Sequence, residues 1–432
     1  MSRMYDLSII GAGWAGLNAA LTAKELGLKA CLIEKSKLGG TCLNLGCIPT
    51  KTLIQSAKVF TLSKKSSVFG VEITGSKVDF NKVRERKDKL IQQLRLGLES
   101  QLKGIDLINQ EAEILSSKEI KIQDRIIESK SILIATGSRP AELSGFKFDS
   151  KKIISSDNIL NLNEIPGSLL IIGGGVIGCE FATIFSAFGA QVTIAEKMPQ
   201  LIPGEDREIA RKIENIFKKK GIKINTNTDA STLDLNNYDL TLVCVGRTVK
   251  TEGLGLEKLG LKTGRGGIVV DEYLRTNIEN IYAAGDCTGK IMLAHFASYQ
   301  GVMAAKNIAS GGNPQKVNST AVPSCIFTDP EIASVGLKED EAKNKGIEIK
   351  VHKFDFLGSG VARILEETDG FIKIITDQKN GEILGAAIIG PRATELIGIL
   401  TLAVSNRLNL SDFKNTIFAH PTLSESIGEV LK

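Results

Sequence analysis

The sequence predicts an α/β protein in which two Rossmann-like domains are followed by a C-terminal α+β domain. A strand, a G-x-G-x-x-G turn, a helix and a second strand occur in that order twice, over residues 5–35 and 168–197. In both copies the first glycine of the turn precedes an acid at the end of the second strand by 23 residues. From Val322 onward, "PSCIFTDPEIASVGL" and "GFIKIITDQKNGEILGAAIIGP" are typical of antiparallel strands in an α+β domain.

The repeated glycine turn predicts a dinucleotide site in each copy. The first glycine makes a tight turn, the second lets backbone amides approach a pyrophosphate, and the third allows the helix to pack closely on the strand. The helix N-terminus stabilises the negative charge, and the acid accepts the ribose hydroxyls. The residues with these roles are Gly11, Gly13, Gly16 and Glu34 in the first copy and Gly173, Gly175, Gly178 and Glu196 in the second. Two such sites in one chain predict two dinucleotides that exchange electrons.

Other segments supply the remaining elements of these domains. Residues 131–140, "SILIATGSRP", are expected to return to the first sheet, and residues 240–247, "LTLVCVGR", to the second. The charged stretch between residues 60 and 110 has leucines at roughly helical spacing, which predicts a packed helix without chemistry. "ENIYAAGDCTG" predicts a short strand that ends at Asp286 beside a glycine turn, a good place to bind a polar cofactor chain.

Composition excludes several classes of function. The 54 basic and 49 acidic residues leave a formal charge of +5, too balanced to indicate a nucleic-acid or anionic-membrane partner. Glycines interrupt the apolar runs well short of the roughly 20 residues that a membrane span needs. The chain enters a strand almost at once, without room for a signal peptide, so we expect a cytoplasmic protein. The three histidines stand apart and no His/Cys cluster has zinc spacing, so we expect no metal site.

Two cysteines, Cys42 and Cys47, lie five residues apart in "GGTCLNLGCIPTK". Such a pair can be a structural disulfide, a metal pair or a redox couple. A regular helix would hold these positions farther apart than the roughly 7 Å between Cα atoms that a disulfide allows, so a bond requires local distortion, which Gly46 could permit. A strained, accessible disulfide is easily reduced, and Lys51 and a helix N-terminus would stabilise a thiolate. With two dinucleotide sites on the same chain, we favour the redox couple.

A candidate base lies near the C-terminus, in "FAHPTLSESIGEV". A dithiol must lose a proton before it attacks a disulfide, and histidine titrates near the working pH. His420 is followed by Glu425, and a carboxylate can fix the imidazole tautomer and stabilise its charged form. Alone, such a histidine is more often structural, but a redox-active cysteine pair on the same chain favours the catalytic interpretation.

These motifs together resemble one family, the flavin-dependent pyridine-nucleotide disulfide oxidoreductases. The matching stretches run from residue 6 to about residue 430 and include "GGTCLNLGCIPTK", "ATGSRP", "GGGVIGCE", "VGR", "YAAGD", "MLAHFAS", "IIGPRATELI" and "FAHPTLSE". "LAH" and "GPRATELI" point to the members that oxidise dihydrolipoamide. The resemblance implies a fold with two Rossmann-like dinucleotide-binding domains, for FAD and NAD, plus a C-terminal α+β dimerisation domain. It divides the chain into an FAD-binding domain with the redox-active disulfide (1–141), an NAD-binding domain (142–264), a central segment completing the FAD site (265–319) and a dimerisation domain (320–432).

The resemblance also implies roles for individual residues. FAD would occupy the first site and NAD the second. Cys42 would be the interchange thiol that meets the substrate, Cys47 would contact the flavin, and Lys51 would pair with Glu180 near the ring. The residues assigned to the cofactors are Gly11, Gly13, Gly16, Glu34, Lys51, Thr136, Gly137 and Asp286 for FAD, and Gly173, Gly175, Gly178, Glu196 and Gly246 for NAD.

By the same resemblance, the enzyme is a homodimer in which His420 and Glu425 act on the partner's cysteine pair. Its reaction would be the oxidation of protein-bound dihydrolipoamide, with electrons passing through the cysteine pair and FAD to NAD. No lipoyl-carrying segment precedes the first domain, so we expect the lipoyl group on another protein, part of a 2-oxoacid dehydrogenase or glycine-cleavage complex. The alternatives are a related NAD(P)H-dependent disulfide or metal-ion reductase and a non-catalytic flavoprotein subunit.

The choice of NAD over NADP follows from charge. A 2'-phosphate about 4 Å from the Glu196 carboxylate would be repelled by roughly 4 kcal/mol per unit charge at an effective dielectric near 20. Lys197 is adjacent, but a strand neighbour should point to the other face. The third glycine, Gly178, agrees, since relatives that use NADP tend to carry alanine there.

Overall fold

The computed structural model describes residues 4–264 and 266–431. The strands are β1 (Met4–Ile10), β2 (Ala30–Ile33), β3 (Asp106–Ile108), β4 (Glu113–Ile114), β5 (Glu119–Ile122), β6 (Arg125–Ile134), β7 (Ser138–Pro140), β8 (Ile153–Ser155), β9 (Ser168–Ile172), β10 (Gln191–Ala195), β11 (Lys223–Asn225), β12 (Leu240–Val243), β13 (Arg247–Val249), β14 (Thr263–Gly264), β15 (Gly267–Ile268), β16 (Ile281–Ala283), β17 (Ser324–Ile326), β18 (Glu331–Gly336), β19 (Ile349–Asp355), β20 (Phe371–Asp377) and β21 (Ile383–Gly390). The α-helices are α1 (Trp14–Glu25), α2 (Gly40–Leu45), α3 (Cys47–Lys64), α4 (Phe80–Gln101), α5 (Val176–Ala187), α6 (Arg207–Lys219), α7 (Ala294–Ala309), α8 (Glu339–Asn344), α9 (Gly360–Ile364), α10 (Ala393–Ser405), α11 (Leu410–Lys414) and α12 (Glu425–Val430).

The described chain forms two compact units. The first contains residues 1–52, 84–141 and 246–318, and the second contains residues 53–83, 142–245 and 319–432. The four domains expected from the sequence divide the chain more finely and assign residues 53–83 and 246–264 differently. That finer division stays a prediction.

A mostly parallel sheet forms the centre of the first unit. Its strands lie in the order β3-β2-β1-β6, with β16 parallel to the end of β6 and an antiparallel hairpin of β4 and β5 beside the start of β6. Strands β1, β2 and the end of β6 (residues 132–134) are buried runs rich in isoleucine and leucine, as strands of a parallel sheet covered on both faces are. Helix α1 packs against α7, where Asn18 hydrogen-bonds the Ser298 hydroxyl at 3.1 Å. The predicted return of residues 131–140 to the first sheet and the predicted strand before Asp286 are confirmed.

The second unit contains a parallel sheet and an antiparallel sheet. The parallel sheet has the order β11-β10-β9-β12-β8, so residues 240–247 contribute their strand to it as predicted. Helix α5 follows β9, and its buried face packs against β9 and β10. The antiparallel sheet has the order β17-β18-β21-β20-β19, with α10 packed against β18 and β21, which confirms the predicted α+β region.

The charged region before residue 110 contains the predicted helix, α4, and a second helix, α3, extends from the cysteine pair to Lys64. Within the described ranges, no helix is both long enough and apolar enough to cross a membrane.

Candidate active site

The first glycine turn has the geometry of a dinucleotide cradle. A Cβ on Gly11 would lie 2.4 Å from the Ala135 carbonyl oxygen, and one on Gly16 would lie 1.8 Å from the Gly11 carbonyl oxygen. Gly13, in contrast, faces open space, since a Cβ there would have no atom within 4 Å, and it directly precedes α1. Gly11 and Gly16 therefore allow the turn to close, and Gly13 leaves room for a phosphate at the helix N-terminus.

The acid predicted to bind a ribose lies beside this turn. Glu34 follows β2 and accepts hydrogen bonds from the Ala12 N–H at 2.7 Å and the Ser36 N–H at 2.8 Å. Both bonds come from the backbone, so the position of the carboxylate is set by the turn itself. A carboxylate accepts several hydrogen bonds, which leaves lone pairs for two ribose hydroxyls.

The second turn repeats these features in the second unit. A Cβ on Gly173 would lie 2.6 Å from the Cys244 carbonyl oxygen and one on Gly178 would lie 2.0 Å from the Gly173 carbonyl oxygen, whereas Gly175 again faces open space. Glu196 follows β10, is 7% exposed, and accepts the Gly174 N–H at 2.6 Å. The residues present fit a second dinucleotide.

The predicted polar anchor, Asp286, is held by a network within the first unit. The Ser138 hydroxyl donates to Asp286 Oδ2 at 2.5 Å, and Arg247 Nε donates to the same hydroxyl at 2.7 Å. Arg247 Nη2 also donates to the Ser138 carbonyl at 3.0 Å. Asp286 follows β16 and is partly exposed. The network orients a carboxylate near the ends of β1, β6 and β16, where a polar cofactor chain would pass.

Three other residues expected to bind cofactor lie in turns. The Thr136 hydroxyl donates to the Lys250 carbonyl at 2.5 Å. Gly137 and Gly246 have φ values of +74° and +127°, and a Cβ at either position would have no atom within 4 Å. Open space beside backbone amides suits a cofactor, and the assignment of these residues stays a prediction.

The cysteine pair lies at a break between two helices. Cys42 belongs to α2, Gly46 interrupts the helix with φ −143° and ψ −113°, and Cys47 is the first residue of α3. This confirms the local distortion that the five-residue spacing requires. The Gly46 carbonyl accepts the first hydrogen bond of α3, from the Thr50 N–H at 3.1 Å. Cys47 therefore lies at a helix N-terminus, which favours a negative charge.

The two thiols act on each other. A hydrogen bond to Cys47 is the main cause that raises the pKa of Cys42, followed by burial, while Trp14 and Lys51 lower it. The hydrogen bond between the two thiols therefore favours the protonated form of Cys42. Lys51, one turn into α3, places a positive charge near Cys42.

The α2 helix is fixed against the first glycine turn. The Gly39 N–H donates to the Ala12 carbonyl at 2.9 Å. A Cβ on Gly40 would lie 2.7 Å from the Gly13 Cα, so this approach requires glycine. The cysteine pair and the cradle expected to hold FAD are therefore one continuous structure.

Burial separates the cysteine pair from most other cysteines. All seven cysteines lie within the described ranges as thiols that form no disulfide there, and four of them are buried, namely Cys31, Cys179, Cys244 and Cys287. Burial raises the pKa of Cys31 to about 11 and those of Cys244 and Cys287 to about 12. Such thiols are unreactive at neutral pH, whereas Cys42 and Cys47 are partly exposed.

His420 and Glu425 are brought together as predicted. Nδ1 of His420 lies 2.8 Å from Oε2 of Glu425, at the start of α12. The other carboxylate oxygen accepts the Thr422 N–H at 3.3 Å, which fixes the carboxylate. The imidazole is 80% exposed, and the Nδ1 contact leaves Nε2 pointing away from the carboxylate. This is the arrangement of a base and the group that orients it.

Glu180 is 3% exposed in α5, and its Oε1 accepts the Phe327 N–H at 3.0 Å. Its pairing with Lys51 stays a prediction. Among the described residues, no cluster of three or more His, Cys, Asp or Glu could hold a metal ion.

Sequence reasoning missed three residues of this region. Ser138 and Arg247 lie in the recognised motifs "ATGSRP" and "VGR", but nothing in those motifs shows that they meet at Asp286. Trp14 is the single tryptophan of the chain and lies between the second and third glycines of the first turn, a signal that could have drawn attention to it.

Comparison with known proteins agrees with this geometry. Residues 5–301 match the family model described as pyridine nucleotide-disulphide oxidoreductase, and residues 322–431 match its dimerisation domain. A dihydrolipoyl dehydrogenase from Chlamydia muridarum is 41% identical over 99% of this chain and 96% of its own length.

Two solved structures have the same fold. LpdA from Mycobacterium tuberculosis superposes with a TM-score of 0.92 at 28% identity, covering 98% of both chains. The HOCl-induced flavoprotein disulfide reductase RclA from Escherichia coli, solved as a Cu(II) complex, gives a TM-score of 0.88 at 31% identity, covering 98% of this chain and 99% of its own.

Proposed function

Because the chain belongs to the pyridine nucleotide-disulphide oxidoreductase family, we propose that it is a dihydrolipoyl dehydrogenase that uses FAD and NAD. The observation that carries this proposal is the Cys42–Cys47 pair, whose thiols are hydrogen-bonded to each other, at a helix break fixed to the first glycine turn. The 41% identity to a dihydrolipoyl dehydrogenase over nearly the whole chain supports the choice of substrate.

The first displacement opens the cysteine disulfide. His420 of one subunit removes a proton from a dihydrolipoyl thiol, and Glu425 stabilises the imidazolium that forms. The thiolate attacks Sγ of Cys42 in the partner subunit, forming a mixed disulfide. The bond between the two cysteine sulfurs breaks, and its electron pair leaves on Cys47, where the N-terminus of α3 and Lys51 stabilise it.

The second displacement releases the product. After His420 has released its first proton to solvent, the remaining lipoyl thiol loses its proton to this base, and its sulfur attacks the lipoyl sulfur of the mixed disulfide. Cys42 leaves with the electron pair and takes the proton, so that the dithiol is oxidised and the cysteine pair is reduced. When bound, FAD supplies a two-electron acceptor for the reduced pair and a hydride donor for NAD.

Binding of the two dinucleotides is assigned to the two glycine turns. Glu34 and Glu196 are positioned by backbone amides to accept ribose hydroxyls. At Glu196 a 2'-phosphate would meet a buried carboxylate. The neighbouring Lys197 is 82% exposed, and its ammonium lies 3.8 Å from Asp229, so it does not offset the repulsion. This arrangement favours NAD over NADP.

The proposal includes a homodimer, since the chain has the family's dimerisation domain and an exposed His420 without a nucleophile among its hydrogen-bond partners. The lipoyl group is carried by another protein, of a 2-oxoacid dehydrogenase or glycine-cleavage complex, and the enzyme works in the cytoplasm. The proposal also keeps the pairing of Lys51 with Glu180 near the flavin ring, which the family resemblance implies.

The test compares two substrate pairs on the purified, FAD-loaded protein. Dihydrolipoamide with NAD should turn over faster than glutathione disulfide or Cu(II) with NADPH. Faster turnover of either reductase pair would refute the assignment in favour of a disulfide or metal-ion reductase, and turnover of neither would favour a non-catalytic flavoprotein.

The variant Cys47→Ser should abolish dihydrolipoamide oxidation while FAD stays bound. Cys325→Ser is the matched control, because this cysteine is also partly exposed but lies in β17, away from the pair in sequence. Full activity of Cys47→Ser would remove that residue from the mechanism.

A further inference from the structure

The indole of Trp14 lies at the contact between the first glycine turn and the cysteine helix. Trp14 is the first residue of α1, and Cys42 is in the first turn of α2. The close approach of Gly40 to Gly13 holds these two helix starts side by side. Tryptophan is a poor choice for packing alone here, because its ring brings a polar N–H into the interior.

That N–H is buried and has no hydrogen-bond partner within the described part of the chain. An indole nitrogen can only donate, and a buried donor without an acceptor costs free energy. The titratable group on which Trp14 acts is Cys42: the indole N–H lowers the pKa of that thiol. In the thiol form the contact falls short of a full hydrogen bond. A charged sulfur is a stronger acceptor and would complete it.

We propose that Trp14 is a catalytic residue whose indole N–H donates a hydrogen bond to the Cys42 sulfur when that sulfur carries negative charge. This inference rests on the proposed function, because it assigns a role within the dithiol exchange. It concerns a reacting atom and requires no cofactor to take part.

The role belongs to the second displacement. When the second lipoyl thiolate attacks the lipoyl sulfur of the mixed disulfide, a sulfur–sulfur bond forms within the lipoyl group and the bond to Cys42 breaks. The electron pair goes to Cys42, and the proton taken from the lipoyl thiol returns to it from the base. Between these events Cys42 is a thiolate, and a donor aimed at its sulfur stabilises the leaving group.

The other groups around Cys42 leave this role open. Cys47 hydrogen-bonds Cys42 and raises its pKa, and Lys51 lowers it from α3. In α4, Arg95 donates from Nη2 to Oδ1 of Asn44, two residues after Cys42, at 2.6 Å. The N–H of Trp14 is a neutral donor that keeps its proton, so it can stabilise the thiolate at every working pH.

The test measures thiolate formation directly. The FAD-loaded protein is reduced with dithiothreitol, freed of reductant and treated with iodoacetamide at a series of pH values. Trypsin releases both cysteines on one peptide, residues 38–51, in which fragment ions separate Cys42 from Cys47.

Trp14→Phe keeps an aromatic ring without the N–H. Alkylation of Cys42 at neutral pH should slow about tenfold and its pH profile should move to higher pH, the effect of losing one hydrogen bond to a charged group.

Alkylation of Cys47 on the same peptide is the internal control and should change less than twofold. Trp14→His loses the same packing but restores an N–H donor, so it should recover much of the Cys42 rate. Equal slowing in the phenylalanine and histidine variants would mean a packing effect and would overturn the proposal, as would an unchanged profile in Trp14→Phe.

A second readout uses the fact that Trp14 is the only tryptophan. Sulfur in contact with an indole quenches its fluorescence, so Cys42→Ser should lengthen the fluorescence lifetime of the FAD-loaded protein, and Cys325→Ser should not. An unchanged lifetime in Cys42→Ser would place the indole away from the sulfur and refute the contact. Neither measurement uses dihydrolipoamide, so a failure of the proposed function would appear separately, as absent turnover with an intact alkylation result.

Discussion

Removal of one hydroxyl, in Ser138→Ala, is expected to weaken FAD binding by about tenfold. The Ser138 hydroxyl accepts from Arg247 Nε at 2.7 Å and donates to Asp286 Oδ2 at 2.5 Å. The side chain is 1% exposed, so water does not replace these bonds easily. Alanine would leave the carboxylate without the hydroxyl that fixes its rotamer.

The magnitude follows from these two bonds. A hydrogen bond to a charged group contributes about 1.5–3 kcal/mol, and two are lost, but the guanidinium keeps its bond to the Ser138 carbonyl and the exposed side of the carboxylate gains water. We therefore expect the free energy of unfolding to fall by about 2 kcal/mol. FAD loses one pre-oriented hydrogen-bond acceptor, the Asp286 carboxylate. We expect this loss to weaken FAD binding by about 1.4 kcal/mol, or tenfold in Kd.

Ser129→Ala is the matched control. Ser129 is 0% exposed in β6, and its hydroxyl donates to the Ser131 carbonyl at 2.7 Å rather than to Asp286 or Arg247. It should lower the free energy of unfolding by about 1 kcal/mol and leave FAD binding unchanged. Apoprotein of each variant is titrated with FAD by flavin fluorescence, and unfolding is followed in urea. Equal FAD affinity in Ser138→Ala and Ser129→Ala would refute the reasoning.

Three further changes test other parts of the site. Gly175→Ala should weaken NAD binding at least tenfold without changing FAD content or melting temperature, since a Cβ there meets no protein atom but occupies the approach to α5. Unchanged NAD affinity, measured by calorimetry, would contradict the assignment of the second glycine turn to NAD. Glu425→Gln should lower kcat for dihydrolipoamide about 10²-fold with little change in KM, because the imidazolium loses its charged partner. Reduction of the enzyme by NADH, followed by stopped flow, should be unaffected. A matching loss of rate in that half-reaction would place the defect elsewhere. Glu339, paired with Lys343 and Lys373, has a pKa lowered to about 2, so its contribution to stability is present above its unfolded pKa and is lost as the pH falls from about 4.5 towards 2. The free energy of unfolding of Glu339→Gln should therefore fall less than that of the wild type across this pH window. An identical acid unfolding curve would argue against the pair.

Much of the fold could be predicted because the signals are local. The repeated glycine turns, the acids 23 residues after them and the buried runs of β1 and β9 are set by short stretches whose backbone requirements admit few residue types. The break between α2 and α3 was also predictable, since a five-residue spacing cannot close a disulfide within a regular helix.

The supporting contacts could not be predicted in this way. Ser138 and Asp286 are 148 positions apart, and no periodicity links two side chains at that separation. Trp14 and Cys42 are nearer in sequence, but their contact depends on how α2 approaches the glycine turn, which is decided by the fit of Gly40 against Gly13. The depth of Glu180 in α5 is likewise a packing result, since a glutamate on a helix is usually exposed.

The amino-acid sequence by itself determined the chemistry available to this protein: two dinucleotide turns, one closely spaced cysteine pair and a histidine with a carboxylate five residues later. Those features depend on backbone geometry and residue type over short distances. Only the tertiary structure decided which thiols are reactive, by burying Cys31 and Cys287 while leaving the pair at a helix break partly exposed. It also decided what surrounds the pair, because burial and a hydrogen-bond partner depend on segments that meet only when the chain has folded.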